Sequence, residues 1–230
     1  MNEKQEGNND SKKPSTINWS NKNLQSFPTE IFDQHAANLR ILKLNQNNIQ
    51  KIPKEIKQLT SLTILSCSGN AIKKVPTQMC MMPSLKEVNL SKNQIVSISN
   101  EVKYLANLHT LVLTQNLLKV LPPNLGRLTQ LKSLELSCNK LSKIPELITL
   151  DNLTEVDLSS NFITEFPPEL QLPPKLRRLI LTTNRVRRLD WKNETLETLE
   201  LSFNRIQSFS IKSEVLKEVL FCSYIFSIYF

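Results

Sequence analysis

The sequence predicts an α/β solenoid: a right-handed horseshoe with a parallel β-sheet on its concave face and short helical or 3₁₀ segments on its convex face. Three observations predict it. A segment of about 23 residues recurs eight times, each copy alternates apolar residues as a short strand does, and each copy places one asparagine at the same point.

Taken in order, residues 1–16 are polar and charged, and a disordered tail is expected there. They hold no apolar run of the kind a secretory signal needs. Residues 17–38 read as an atypical capping repeat. Ile17, Trp19, Leu24, Phe27 and Pro28 fit the pattern, but Lys22 stands where the asparagine belongs. Terminal repeats deviate because they close the stack.

Residues 39–215 hold the eight repeats, opening at Leu39, Leu62, Leu85, Leu108, Leu131, Leu153, Leu176 and Leu196. Each reads apolar-x-x-apolar-x-apolar-x-x-Asn-x-apolar-x-x-apolar, as in Leu39, Leu42, Leu44, Asn47, Ile49 and Ile52. The apolar-x-apolar core turns every second side chain inward, as a strand requires. Such a strand cannot cover its inward face alone, so its neighbours must stack beside it.

The asparagines are Asn47, Asn70, Asn93, Asn116, Asn139, Asn161, Asn184 and Asn204. A buried amide must find hydrogen-bond partners, and turn backbone of its own and adjacent repeats supplies them. Pro53, Pro76, Pro122, Pro145 and Pro167 then start helical or 3₁₀ backs. The last two repeats lack this proline, which predicts a more extended back with Trp191 and Ile211 turned inward. Residues 216–230 begin a ninth repeat with Leu216, Val219 and Phe221, then run into an apolar, aromatic tail, as a truncated repeat would.

These spacings resemble the leucine-rich repeat family across residues 17–221. The proline-containing 23-residue form is most similar to its intracellular members: Ras-pathway scaffolds, the Erbin and Scribble group, and repeats linked to phosphatases and cyclases. The resemblance implies a protein-binding module in signalling, with a small GTPase or a phosphatase subunit among the partners it suggests.

Composition points the same way. Three glycines, none in a phosphate-loop pattern, leave no phosphate cradle. Two isolated histidines offer neither a metal site nor a catalytic pair. Four cysteines without C-x-x-C spacing suggest a reducing compartment, hence the cytoplasm. No cofactor or small-molecule substrate is expected, and no stretch is long enough to span a membrane.

On the horseshoe, a partner is expected at the outward strand positions: Ile41, Lys43, Ile64, Glu87, Asn89, Val112, Glu135, Glu155, Asp157, Arg178 and Glu200. Glu135, Glu155 and Asp157 should form an acidic patch on adjacent strands, and Ile41 and Ile64 an apolar anchor. Glu155 and Asp157 share a face, yet no nucleophile or metal-ligating histidine accompanies them, so catalysis is not expected. Lys51, Lys74, Lys143 and Arg188 recur four residues after the asparagine. Lysines and arginines also gather between Lys175 and Arg205. This basic row suits at most a weak contact with acidic lipid, and the lack of interleaved aromatics argues against nucleic acid. A monomeric, non-catalytic adaptor is the leading expectation. The alternative is the regulatory repeat region of a larger signalling enzyme, such as a protein phosphatase, whose catalytic domain is absent from this chain.

Overall fold

The computed structural model describes residues 15–143, 146–165, 171–192, 195–212, 215–220 and 228–229. Its main sheet is parallel throughout. The strands follow in order: β1 (Thr16–Asn18), β2 (Ile41–Lys43), β3 (Ile64–Ser66), β4 (Glu87–Asn89), β5 (Thr110–Val112), β6 (Ser133–Glu135), β7 (Glu155–Asp157), β8 (Arg178–Ile180), β10 (Thr198–Glu200) and β12 (Glu218–Leu220). A second parallel sheet holds β9 (Arg188–Lys192), β11 (Ser208–Lys212) and β13 (Ile228–Tyr229), in the order β13-β11-β9. This is the expected α/β solenoid horseshoe.

No strand slips in register. Ile17, Leu42, Leu65, Val88, Leu111, Leu134, Val156, Leu179 and Leu199 stand side by side as the central residue of each strand, and all are buried. A one-residue slip would turn a strand's inward side chain to water, so the apolar pattern fixes the register. The strand β1 begins at Thr16, one residue before the expected cap boundary. Among the described inward positions of the eight repeats, Ile98 and Leu121 alone are less than fully buried; Trp19 and Leu24 in the cap and Leu216 and Val219 in the ninth repeat are also partly buried.

The asparagines join one repeat to the next. The Nδ2 of Asn116 donates to the Leu113 carbonyl of its own repeat and to the Leu90 carbonyl of the preceding one, both at 3.0 Å. Its Oδ1 accepts from the backbone N–H of Ile95 at 2.9 Å. The other seven repeat this arrangement; Asn70 and Asn204 are half-buried and the rest buried. Each amide therefore serves the repeat before it. This fits Lys22: among the described residues no repeat lies before residues 17–38 for an asparagine there to serve. The cap's own turn is closed by Asn47, whose Oδ1 accepts from the N–H groups of Lys22 and Leu24 at 3.0 Å.

Pro53, Pro76 and Pro122 immediately precede back segments, the 3₁₀ turns Lys54–Gln58 and Pro123–Arg127 and the helix α2 (Thr77–Cys80). Their φ values of −72°, −69° and −68° are those the pyrrolidine ring imposes. A further 3₁₀ turn, Asn100–Tyr104, follows Ser99 and needs no proline. In the cap, helix α1 (Glu30–His35) stacks Phe32 on Phe27 with ring centroids 5.8 Å apart. In the last two repeats, which also lack the proline, the back is extended as expected: β9 and β11 pair Leu189 with Phe209 and Trp191 with Ile211. The side chains of Trp191 and Ile211, Pro145 and Pro167, residues 1–14 and most of the apolar tail lie outside the described residues.

Candidate interaction surface

The two outer residues of each three-residue strand face away from the core, and strand pairing lines them up into columns. Ile41, Ile64, Glu87, Thr110, Ser133, Glu155, Arg178 and Thr198 form the first. Lys43, Ser66, Asn89, Val112, Glu135, Asp157, Ile180 and Glu200 form the second. Neighbours within a column are about 4.8 Å apart. All eleven predicted contact residues therefore share one face.

The two halves of that face differ. In the N-terminal half, Lys43, Ile64, Glu87, Asn89, Thr110 and Val112 surround a depression of about 200 Å³. Ile41, Ile64 and Val112 are half-buried there, leaving apolar surface among polar neighbours. Asn89 is held in place, since its Oδ1 accepts from Ser91 N at 3.0 Å and from Ser91 Oγ at 2.8 Å.

In the C-terminal half carboxylates crowd together. Glu135 stands opposite Asp157, and Glu155 shares the strand of Asp157. Burial, and then the charges of Asp157 and Glu155, hold the Glu135 carboxyl above its ordinary range. Asp157 Oδ1 accepts from Ser159 N at 2.8 Å. Arg178, expected among the contact residues, is exposed and also bonds within the sheet. Its Nη2 lies 2.6 Å from Glu200 Oε1 and its Nη1 lies 3.2 Å from Glu155 Oε1, so it ties β7, β8 and β10 together. Glu155 is thereby partly neutralised, and Glu135 and Asp157 keep most of the acidic character.

A third column, at the residue before each strand, escaped the sequence reading as a set. Backbone N–H groups of Thr63, Lys86, His109, Lys132, Thr154 and Arg177 each donate to the carbonyl of the equivalent residue one repeat earlier, beginning at Arg40. Arg40, Lys86, Lys132 and Arg177 are exposed and make a basic border beside the acidic columns. The signal was present in the second position of each repeat, which is so often Lys or Arg. On the far side, a row of small polar residues follows the strands; Ser68 Oγ and Ser91 Oγ, for example, are 2.8 Å apart.

One aromatic contact lies beside the C-terminal basic cluster: the Arg185 guanidinium sits over the Phe162 ring at 4.5 Å. Among the described residues no group of three His, Cys, Asp or Glu side chains is placed to hold a metal ion. No described helix is long and apolar enough to cross a membrane.

Comparison with known proteins agrees with this geometry. The family model for leucine-rich repeats in two copies matches residues 37–77 and 129–171, and two further leucine-rich repeat models match residues 83–141 and 192–208. Over 74 residues the chain is 39% identical to Toll-like receptor 2 of Equus caballus and 38% identical to that of Bos taurus. That match covers 32% of this chain and 9% of each receptor, so the chain spans under a tenth of these relatives. A leucine-rich repeat protein of Leptospira interrogans superposes with a TM-score of 0.75 at 29% identity, covering 89% of this chain and 56% of that one. The plant peptide hormone receptor RGFR1 in complex with RGF2 superposes at 0.63 with 21% identity, covering 85% and 34%, a likeness of fold alone. With matching models spread over more than half of its length and one unbroken strand register beneath them, the chain belongs to the leucine-rich repeat family.

Proposed function

We propose that this chain is a non-catalytic protein-interaction module, an adaptor in cytoplasmic signalling that holds a folded protein partner on its concave face. The observation that carries this reading is the pair of unbroken columns, which merge outward residues from successive repeats into one continuous surface. Its N-terminal half offers an apolar depression between Lys43 and Val112. Its C-terminal half offers Glu135 and Asp157. A partner with an apolar knob beside a basic patch fits both. The chain carries a net charge of +8, so a local acidic surface would steer a basic patch to this face in particular.

The test is affinity capture from cell lysate, with a small GTPase and a phosphatase subunit as the first partners to probe. The wild-type chain is compared with Glu135→Lys/Asp157→Lys and with Ile64→Asp. A partner on the concave face is lost from both variants. Retention of every captured protein by both would place the contact elsewhere.

A further inference from the structure

The recurring lysines four residues after the asparagine have no role in the concave surface. Two of them, Lys51 and Lys74, line a groove of about 710 Å³ on the flank of the solenoid, where the chain leaves the asparagine turns and enters the backs.

The groove has a basic rim and an apolar floor. Lys51, Lys54 and Lys74 line it and are exposed, against a single carboxylate, Glu55. The ion pairs among the described residues lie in the C-terminal repeats, and none engages these three lysines. Phe27 and Ile52 line the bottom and are themselves buried, flanked by Pro53 and Pro76. Thr29 and Thr77 add hydroxyl groups at the walls.

We propose that this groove docks an extended acidic peptide segment of a partner protein, with carboxylates on Lys51, Lys54 and Lys74 and one apolar side chain against the half-buried Pro53 and Pro76, which lie over the buried Phe27 and Ile52. Charge complementarity selects an anion, and the apolar floor selects one that carries a side chain. A bilayer presents its charge on a plane, whereas this floor lies below the lysine rim. Single-stranded nucleic acid needs exposed rings to stack on. The one ring lining the groove, Phe27, is buried and packed against Phe32.

Fluorescence anisotropy on the full chain tests this. The probe is a fluorescein-labelled octapeptide of glutamates with one central leucine. Comparison ligands are an all-glutamate octapeptide, octathymidylate and phosphatidylserine vesicles. The leucine peptide is expected to bind at least about threefold tighter than the all-glutamate peptide, from partial burial of its side chain. Lys51→Glu/Lys74→Glu, checked for an unchanged circular dichroism spectrum, weakens it at least about tenfold. If that variant misfolds, Lys51→Gln/Lys74→Gln is read instead, with the same direction expected. Glu135→Lys/Asp157→Lys leaves peptide binding unchanged, which separates this groove from the concave face. No peptide binding, equal affinity for the two peptides, loss in the concave variant, or tighter binding of octathymidylate or vesicles would each overturn the proposal.

Discussion

Glu135 and Asp157 stand directly opposite each other across β6 and β7, two carboxylates in one cross-strand pair. Like charges so placed destabilise a sheet. Burial and the neighbouring charges raise the Glu135 pKa in the folded chain. The unfavourable contribution is therefore complete above that raised value and disappears as pH falls through the window down to the ordinary glutamate range. Glu135→Gln is expected to stabilise the chain by about 0.5 kcal/mol near neutral pH, a modest gain because the site is partly solvated. Urea midpoints should show the gain at neutral pH and none below the ordinary glutamate pKa of about 4.3. A gain that grew on acidification would contradict the assignment.

Asn116→Ala leaves the Ile95 N–H without its partner in a buried turn, while the Leu90 and Leu113 carbonyls each lose one of two donors and keep the Nδ2 of Asn93 and Asn139. At about 1–3 kcal/mol for one unsatisfied buried group, a loss of about 1–3 kcal/mol is expected. Asn116→Asp should be no better, since it keeps the acceptor but turns a negative charge toward two carbonyl oxygens. Asn204→Ala should cost less, because Asn204 is half-buried and water can replace part of its bonding. Urea unfolding, with hydrogen exchange to locate the loosened repeats, gives the ranking. A larger loss at Asn204 than at Asn116 would refute it.

The residue before each of the eight asparagines holds a left-handed backbone. Gln46, Gly69, Lys92, Gln115, Cys138, Ser160, Thr183 and Phe203 have φ between 53° and 66°. Only one of them is glycine. The left-handed region costs an ordinary residue roughly 1–2 kcal/mol, and more is expected for β-branched or bulky side chains. Thr183→Gly should stabilise the chain by about 0.5–1 kcal/mol, the gain being reduced by the greater freedom of glycine in the unfolded state. Gly69→Ala should do the reverse, since φ is +66° and a Cβ there would sit 2.7 Å from the Gln46 side chain. Thermal midpoints moving the other way in both variants would remove backbone strain as the explanation.

The sequence made the strands legible because period-two alternation repeated eight times leaves one consistent inward set. Leu42, Leu65 and Val88 could not all be buried in any other register. The asparagine positions were legible for the same reason, and the missing prolines correctly signalled the extended backs of β9 and β11. Arg178 was not legible. Its clamp depends on Glu155 and Glu200 lying one strand away on either side, with side-chain rotamers that spacing does not specify. The left-handed turn was hidden because glycine, its usual mark, appears only at Gly69. The 3₁₀ turn after Ser99 lacked its proline, and the basic border became a unit only once the carbonyl of Arg40 was linked to Thr63, and so on along the sheet.

The cysteines give a chemical test of the stack itself. Cys67 takes a core position usually filled by a larger side chain and is fully buried, which pushes its thiol up to about 12. Cys80 is 1% exposed, and burial, then the nearby Glu101 charge, pushes it up to about 11. Cys138 is exposed in its asparagine turn. Because the thiolate is the reactive form, both access and ionisation protect the first two at pH about 8. In the native chain, iodoacetamide followed by peptide mapping should mark Cys138 rapidly, with Cys67 and Cys80 marked only as denaturant opens their repeat. The two buried thiols sit in one repeat, Cys67 just after its strand and Cys80 in its back helix, so the order in which they become reactive reads which side of that repeat opens first. Labelling of Cys67 as fast as Cys138 without denaturant would mean that the inward face of β3 is not closed by its neighbours.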